Sequence, residues 1–216
     1  MKKNVVPKKR KGGRPRKSDN NDTRQTLLDV ARQEFAARGL EGARVDHIAN
    51  LANVNKQLVY HYFGSKDDLY IAVLEEAYRN IRDQERALDL ADLPPNDAMR
   101  VLIEFSFDYL DRNREFVALV TDENTHMGEH LSRSSQLEPM NQPIIDMIKE
   151  TLERGDFRHG LDPFQVYLSI AALSFFYFSN TYTLSRIFGR NLLEYATVAE
   201  RRRHVVDFAM AALTKS

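Results

Sequence analysis

Cysteine is absent from the 216 residues. That excludes disulfides and thiolate metal sites, and it fits a reducing compartment, so a cytoplasmic location is expected. The basic N-terminus leads into Gly12-Gly13-Arg14-Pro15 rather than an apolar run, so no secretory leader is expected. Strand patterns are missing, as is any repeat with a period of about 20–50 residues. There is no Gly-rich phosphate loop, no G-x-S-x-G, no HExxH and no cysteine nucleophile, which argues against the common catalytic classes. Residues 163–185 lack charge over 23 positions, long enough to span a bilayer. Gln165, Ser169, Ser174, Ser179, Asn180, Thr181 and Thr183 interrupt that run, and no second span exists. The segment therefore reads as a helix buried on several sides, and no membrane partner is expected.

What is present is an ordinary globular balance, 43% hydrophobic and 29% charged. The zero net charge hides an asymmetry. Residues 1–70 carry 15 basic and 8 acidic side chains, and residues 71–216 carry 16 and 23. Nine of the basic residues lie in residues 1–17, with no acid among them. A segment of that composition cannot bury a core, so residues 1–21 are expected to be a disordered basic arm. Within it, Gly13-Arg14-Pro15-Arg16 resembles the Arg-Pro core of minor-groove AT-hooks. Arg14 and Arg16 are thus candidates for DNA contact, against the alternative of a solvated leader with only non-specific attraction.

The organising stretch runs from Arg44 to Lys66. Val45, Ile48, Ala49 and Ala52 give a first short helix one apolar stripe. Asn53-Val54-Asn55 breaks it: Asn tolerates a left-handed turn, and Asn55 is a good N-cap. The next helix, Lys56 to Phe63, buries Val59, Tyr62 and Phe63 on one side. Lys56, Gln57, Tyr60 and His61 share the other. A helix this short must pack, and its free face then carries long donors suited to a major groove. The run IANLANVNKQLVYHYFGSKDDLY closely resembles the DNA-binding signature of TetR-family transcriptional regulators, and with Leu27 to Gly39 before it the likeness covers about 48 residues. Two departures stand out. Asn53 occupies the usual Gly position, and Ala43-Arg44 replaces the usual Thr or Ser cap, leaving Arg44 to reach a phosphate instead.

The remaining pattern is helical. Asp22 or Thr23 opens the first helix and Gly39 closes it. Ser65-Lys66-Asp67-Asp68 reads as a capping box for a helix that runs to about Asp89. Further helices are expected at 97–112, 114–127, 137–154, 163–188 and 197–214. Pro139 and Pro143 fall early in the third of these, Gly155 closes it, Asp162-Pro163 opens the fourth and Thr197-x-x-Glu200 caps the last. The expected fold is all-α: a three-helix helix-turn-helix head over 22–70, and a larger helical body over 71–216 for dimerisation and ligand binding.

The family resemblance implies a homodimer that recognises a double-stranded DNA operator and responds to a small-molecule effector, with the last two long helices forming a four-helix interface. It also implies backbone contacts from Tyr60, Tyr62 and Lys66. Base contacts follow from side-chain chemistry: Lys56 to guanine, Gln57 to adenine, Leu58 to a thymine methyl, with His61 on the same face. In the body, Glu123, His126 and His130 fall at i, i+3 and i+7, so that one helix face presents them as a metal site, or else as a polar surface or a buried network. Because similar regulators bind an inducer in this body region, Asn124 and His126 are candidates for an effector pocket, with Phe105, Tyr109, Phe164, Tyr167 and Tyr177 as apolar walls. No cofactor is expected. FYFSNTYTLSRIFG loosely resembles regulators of nitrogen-heterocycle catabolism. The reading is a non-enzymatic, ligand-released repressor acting on a palindromic operator. The alternatives are a constitutive architectural DNA binder or a helical metal-dependent enzyme.

Overall fold

Helix α1 (Lys17–Gly42) lies across α4 (Lys66–Arg86) and α6 (Arg114–Thr125), so the N-terminal helices are seated on the body. The structure, a computed structural model, describes residues 17–215. Between these elements come α2 (Val45–Leu51), α3 (Lys56–Phe63) and α5 (Pro95–Arg112). The chain ends with α7 (Leu137–Arg154), α8 (Pro163–Ser179), α9 (Thr181–Phe188) and α10 (Tyr195–Leu213). Among the described residues there is no strand, only an isolated bridge between Phe157 and Thr214.

One hydrophobic cluster runs from Leu27 in α1 through Tyr70 and Phe107 to Leu213. The expected boundary at residues 70/71 therefore falls inside α4, in the middle of continuous packing. Tyr70 is fully buried, and its ring meets Phe35 edge-on at 5.0 Å. Head and body share this core rather than being joined by a linker.

The helix ends follow local chemistry in most places. Asn55 Oδ1 accepts from the amide of Gln57 and Asp162 Oδ1 from that of Gln165, each the first-turn bond an N-cap makes. Ser65 accepts from the amide of Asp68, whose carboxylate accepts the Ser65 hydroxyl in return. Arg44 opens α2 with no side-chain cap, as the missing Ser or Thr implies.

Several ends differ from expectation. α1 starts at Lys17, not Asp22, and so takes in the last residues of the expected disordered arm. No apolar residue before Leu27 marks that start. The expected helix over 163–188 is two helices, parted at Asn180 (φ −111°, ψ 6°). The Asn180 side-chain amide donates to the Phe176 carbonyl at 3.0 Å, offering the backbone an alternative to the helical ladder. α10 begins at Tyr195, so Thr197 is buried within the first turn and is not a cap. Gly155 follows α7 in an extended, not left-handed, conformation (φ −101°, ψ 169°). Glycine is required there for room, since a Cβ would lie 2.3 Å from the Phe157 ring and 2.8 Å from Pro95.

Candidate DNA-reading face and effector cavity

The turn between α2 and α3 depends on Asn53, which adopts φ 53°. Only a residue tolerant of the left-handed region fits there. Val59 and Phe63 bury one side of α3, and the Arg24 guanidinium covers the Phe63 ring at 5.1 Å. Lys56, Gln57, Tyr60 and His61 are exposed together on the other side, and Arg44 is exposed at the start of α2. Leu58, Tyr62 and Lys66 are half-buried. Lys66 Nζ reaches the Glu41 carbonyl at 3.4 Å and so ties the start of α4 to the end of α1. Arg14 and Arg16 lie outside the described residues.

Three ion pairs in this region are not foreshadowed by the residue pattern. Lys56 Nζ lies 2.8 Å from Asp46 of α2 and 5.8 Å from the Tyr60 ring. The hydrogen bond to Asp46 holds the Lys56 ammonium pKa above its ordinary value. Glu34 of α1, 5% exposed, lies at ion-pair distance from Arg38, 3.2 Å, and is hydrogen-bonded to His47 of α2 at 2.8 Å. A buried carboxylate thus fixes α2 against α1.

The body residues predicted to bind an effector do not share one cavity. Tyr109 is buried, with its ring 5.7 Å from Phe116 and 5.7 Å from the half-buried Phe105. Burial pushes the Tyr109 phenol up to about 12. Tyr167 is half-buried beside Arg82 and lines a groove of about 750 Å3 between α4, α7 and α8, with Tyr78, Asn141, Ile144 and Phe164. Tyr177 is buried, donates to the Leu192 carbonyl and lines a separate hollow of about 350 Å3 among α8, α9 and α10. Asn124 is exposed at the end of α6, and His126 Nε2 lies 4.0 Å from Asp122.

Glu123, His126 and His130 do not form one helix face, because α6 stops at Thr125. Met127 (φ 57°) and Gly128 (φ 72°) then turn the chain back. Glu123, 2% exposed, accepts from the amides of His130 at 2.9 Å and Leu131 at 3.0 Å, and from His130 Nδ1 at 2.9 Å. This is the buried-network reading, with the carboxylate closing a loop. Among the described residues no group of three or more metal-ligating side chains assembles, and no helix is long and apolar enough to cross a membrane.

Known proteins agree with this arrangement. Residues 27–73 match the family described as bacterial regulatory proteins, tetR family, and residues 95–209 match the tetracyclin repressor-like C-terminal domain. The transcriptional repressor NicS of Pseudomonas putida is 35% identical over 199 residues, covering 89% of this chain and 93% of that protein. The chain belongs to the TetR family of transcriptional regulators. Solved structures carry the same fold. A transcriptional regulator from Streptomyces coelicolor superposes with a TM-score of 0.69 at 23% identity, covering 90% of this chain and 99% of that one. FadR from Bacillus subtilis, solved in complex with stearoyl-CoA, superposes with a TM-score of 0.63 at 18% identity, covering 87% and 98%. Within this TetR-family chain the departure at Asn53 is absorbed by its left-handed backbone, and the departure at Arg44 leaves α2 without a side-chain cap.

Proposed function

We propose that the chain is a homodimeric repressor that binds a palindromic operator and leaves it when a small-molecule effector enters the body. The observation that carries the DNA half is the exposed set Lys56, Gln57, Tyr60 and His61 on a capped, packed helix. Gln57 is long enough to bond adenine bidentately, and Lys56 to reach guanine once it leaves Asp46. Tyr60, Tyr62, Lys66 and Arg44 hold phosphates and set register, and the basic residues before α1 add sequence-independent attraction.

The dimer half rests on apolar exposure. Phe164, Leu168 and Phe176 of α8, and Phe208 of α10, are 51%, 43%, 58% and 56% exposed. Large apolar side chains exposed in this number on α8 and α10 are covered in water, and a second copy covers them symmetrically. The effector half rests on the α4–α7–α8 groove. α4 carries both that groove and the turn into α3, so a ligand that tilts α4 changes the separation of two reading helices, which must sit about 34–36 Å apart on DNA. NicS is a named repressor and the B. subtilis FadR fold accommodates an acyl-CoA, which supports both roles.

The test is footprinting on genomic fragments, followed by titration of the protected palindrome at several effector concentrations. Release by about 5–150-fold is expected. A footprint without two-fold symmetry, or binding indifferent to every metabolite supplied, would sink the proposal.

A further inference from the structure

Arg82 and Glu85 sit one turn apart on α4, inside the body, 4% and 3% exposed. Buried charges are costly unless their geometry is excellent and every donor and acceptor is used. Here it is not. Arg82 Nη1 lies 2.9 Å from Glu85 Oε2, an ion-pair distance, yet neither atom has the alignment of a hydrogen bond. Arg82 Nε also has no partner. Nη2 reaches only the Tyr167 hydroxyl, at 3.5 Å, and the guanidinium lies 5.6 Å from the Tyr167 ring centroid. A buried arginine with unused donors needs an explanation.

The surroundings supply one. Met140, Pro143, Ile144 and Met147 of α7 enclose a space of about 10 Å3 against the pair, too small for anything larger than a water. Ile144 and Tyr167 also line the groove of about 750 Å3 on their other side. One layer of side chains therefore separates Arg82 from a groove with room for a ligand. The two methionines in that region are the most adaptable of apolar side chains.

We infer that Arg82 is the anchor for the carboxylate of an effector whose mainly apolar body occupies the α4–α7–α8 groove. This rests on the effector-released reading above and names the class of effector. A guanidinium with unused donors matches a carboxylate in shape and charge. A dianion is disfavoured, because its second charge would face Glu85. A cation is disfavoured, because Arg82 would face it. Burial pushes the Glu85 carboxyl up to about 7 against the opposing pull of Arg82. Near neutrality Glu85 is thus a weak counter-ion that gives way by taking a proton. Tyr78 of α4, Tyr109 of α5 and Tyr167 of α8 also face the pair, and Arg86 of α4 borders the same small space.

The experiment uses the full chain and matched acid and amide probes: benzoate and benzamide, 2-naphthoate and 2-naphthamide, octanoate and octanamide. Thermal shift and operator release are read for wild type and Arg82→Met. At least one carboxylate is expected to raise the melting temperature and release DNA, with its amide inert. Arg82→Met is expected to lose about 10–100-fold in carboxylate affinity with operator binding retained. Equal effects of acid and amide, no effect of any acid, or an unchanged response in Arg82→Met would overturn the assignment. Should Arg82→Met not fold, the acid-against-amide comparison on wild type decides alone. DNA release by a neutral or cationic metabolite would overturn the carboxylate while leaving the effector reading intact. Indifference to compounds of every charge would fail that reading itself.

Discussion

Asp122 Oδ2, on α6, accepts a hydrogen bond from the backbone amide of Leu40 at 2.9 Å, across 82 residues of sequence. The same oxygen accepts from the Tyr70 hydroxyl at 2.9 Å. Burial, and then this bond, raise the Tyr70 phenol pKa well above its ordinary value. One carboxylate thus joins the end of α1, the DNA-proximal part of α4 and the body. The chain makes room for it with Gly39 (φ 66°, ψ 175°), where a Cβ would lie 2.5 Å from Asp122 Oδ1.

Asp122→Ala leaves the Leu40 amide without its acceptor and the Tyr70 hydroxyl with only the Leu119 carbonyl, at 3.4 Å, and should destabilise the fold by about 2–4 kcal/mol in urea titration. Gly39→Ala combines a backbone region that only glycine occupies easily with that steric overlap, so a loss of about 2–4 kcal/mol is expected there too. If Gly39→Ala were neutral, the close approach of Asp122 would not exist in solution.

Gln57→Ala should lose discrimination at one base pair per half-site, about 1–3 kcal/mol, with non-specific binding unchanged. Lys66→Ala should weaken binding to all sequences alike. It also gives up the bond to the Glu41 carbonyl. Selection of preferred sites with each variant separates the two roles. A changed base preference in Lys66→Ala alone would reverse them.

Glu85 predicts a pH dependence whose sign is fixed. Its folded pKa is raised by burial from 4.5 to about 7, so the folded chain holds this proton more tightly than the unfolded one. The resulting stability is fully present below pH 4.5 and is lost as pH rises through about 7. Glu85→Gln removes that slope. Its stability relative to wild type should therefore rise between pH 5 and pH 8, by up to about 3 kcal/mol. Parallel slopes for the two proteins would mean that Glu85 is an ordinary carboxylate.

A chain lacking residues 1–16 loses eight lysines and arginines. If each neutralises a phosphate, the slope of log affinity against log salt should become shallower by up to about 7, with the preferred palindrome unchanged. Loss of preference for A·T pairs beside the half-sites would place Arg14 or Arg16 in the minor groove. An unaltered slope would remove these residues from binding.

The reading pair was legible because its determinants are local. Asn53, Asn55, Gly64 and Ser65 act on residues within four positions, and the sided pattern of α3 does not depend on the rest of the chain. The pairs Lys56–Asp46, Glu34–His47 and Asp122–Leu40 were not legible, because a periodicity does not say which polar groups meet when helices pack. The Glu123–His130 contact was misread as a helix face, since nothing in the residue pattern fixes Met127 and Gly128 at positive φ. The break at Asn180 was hidden for a related reason. An apolar run without glycine or proline looks continuous, and a single side-chain amide is a faint signal.

Lys56 already rests against Asp46 before any DNA arrives. Its meeting with a guanine is therefore an exchange of partners, with Asp46 as a fixed competitor beside the mobile ions. Raising the salt concentration should loosen the grip on phosphates but leave the preference for guanine at that position nearly constant. The reading helix then discriminates equally well in dilute and concentrated salt, while the time spent on any one stretch of DNA varies widely.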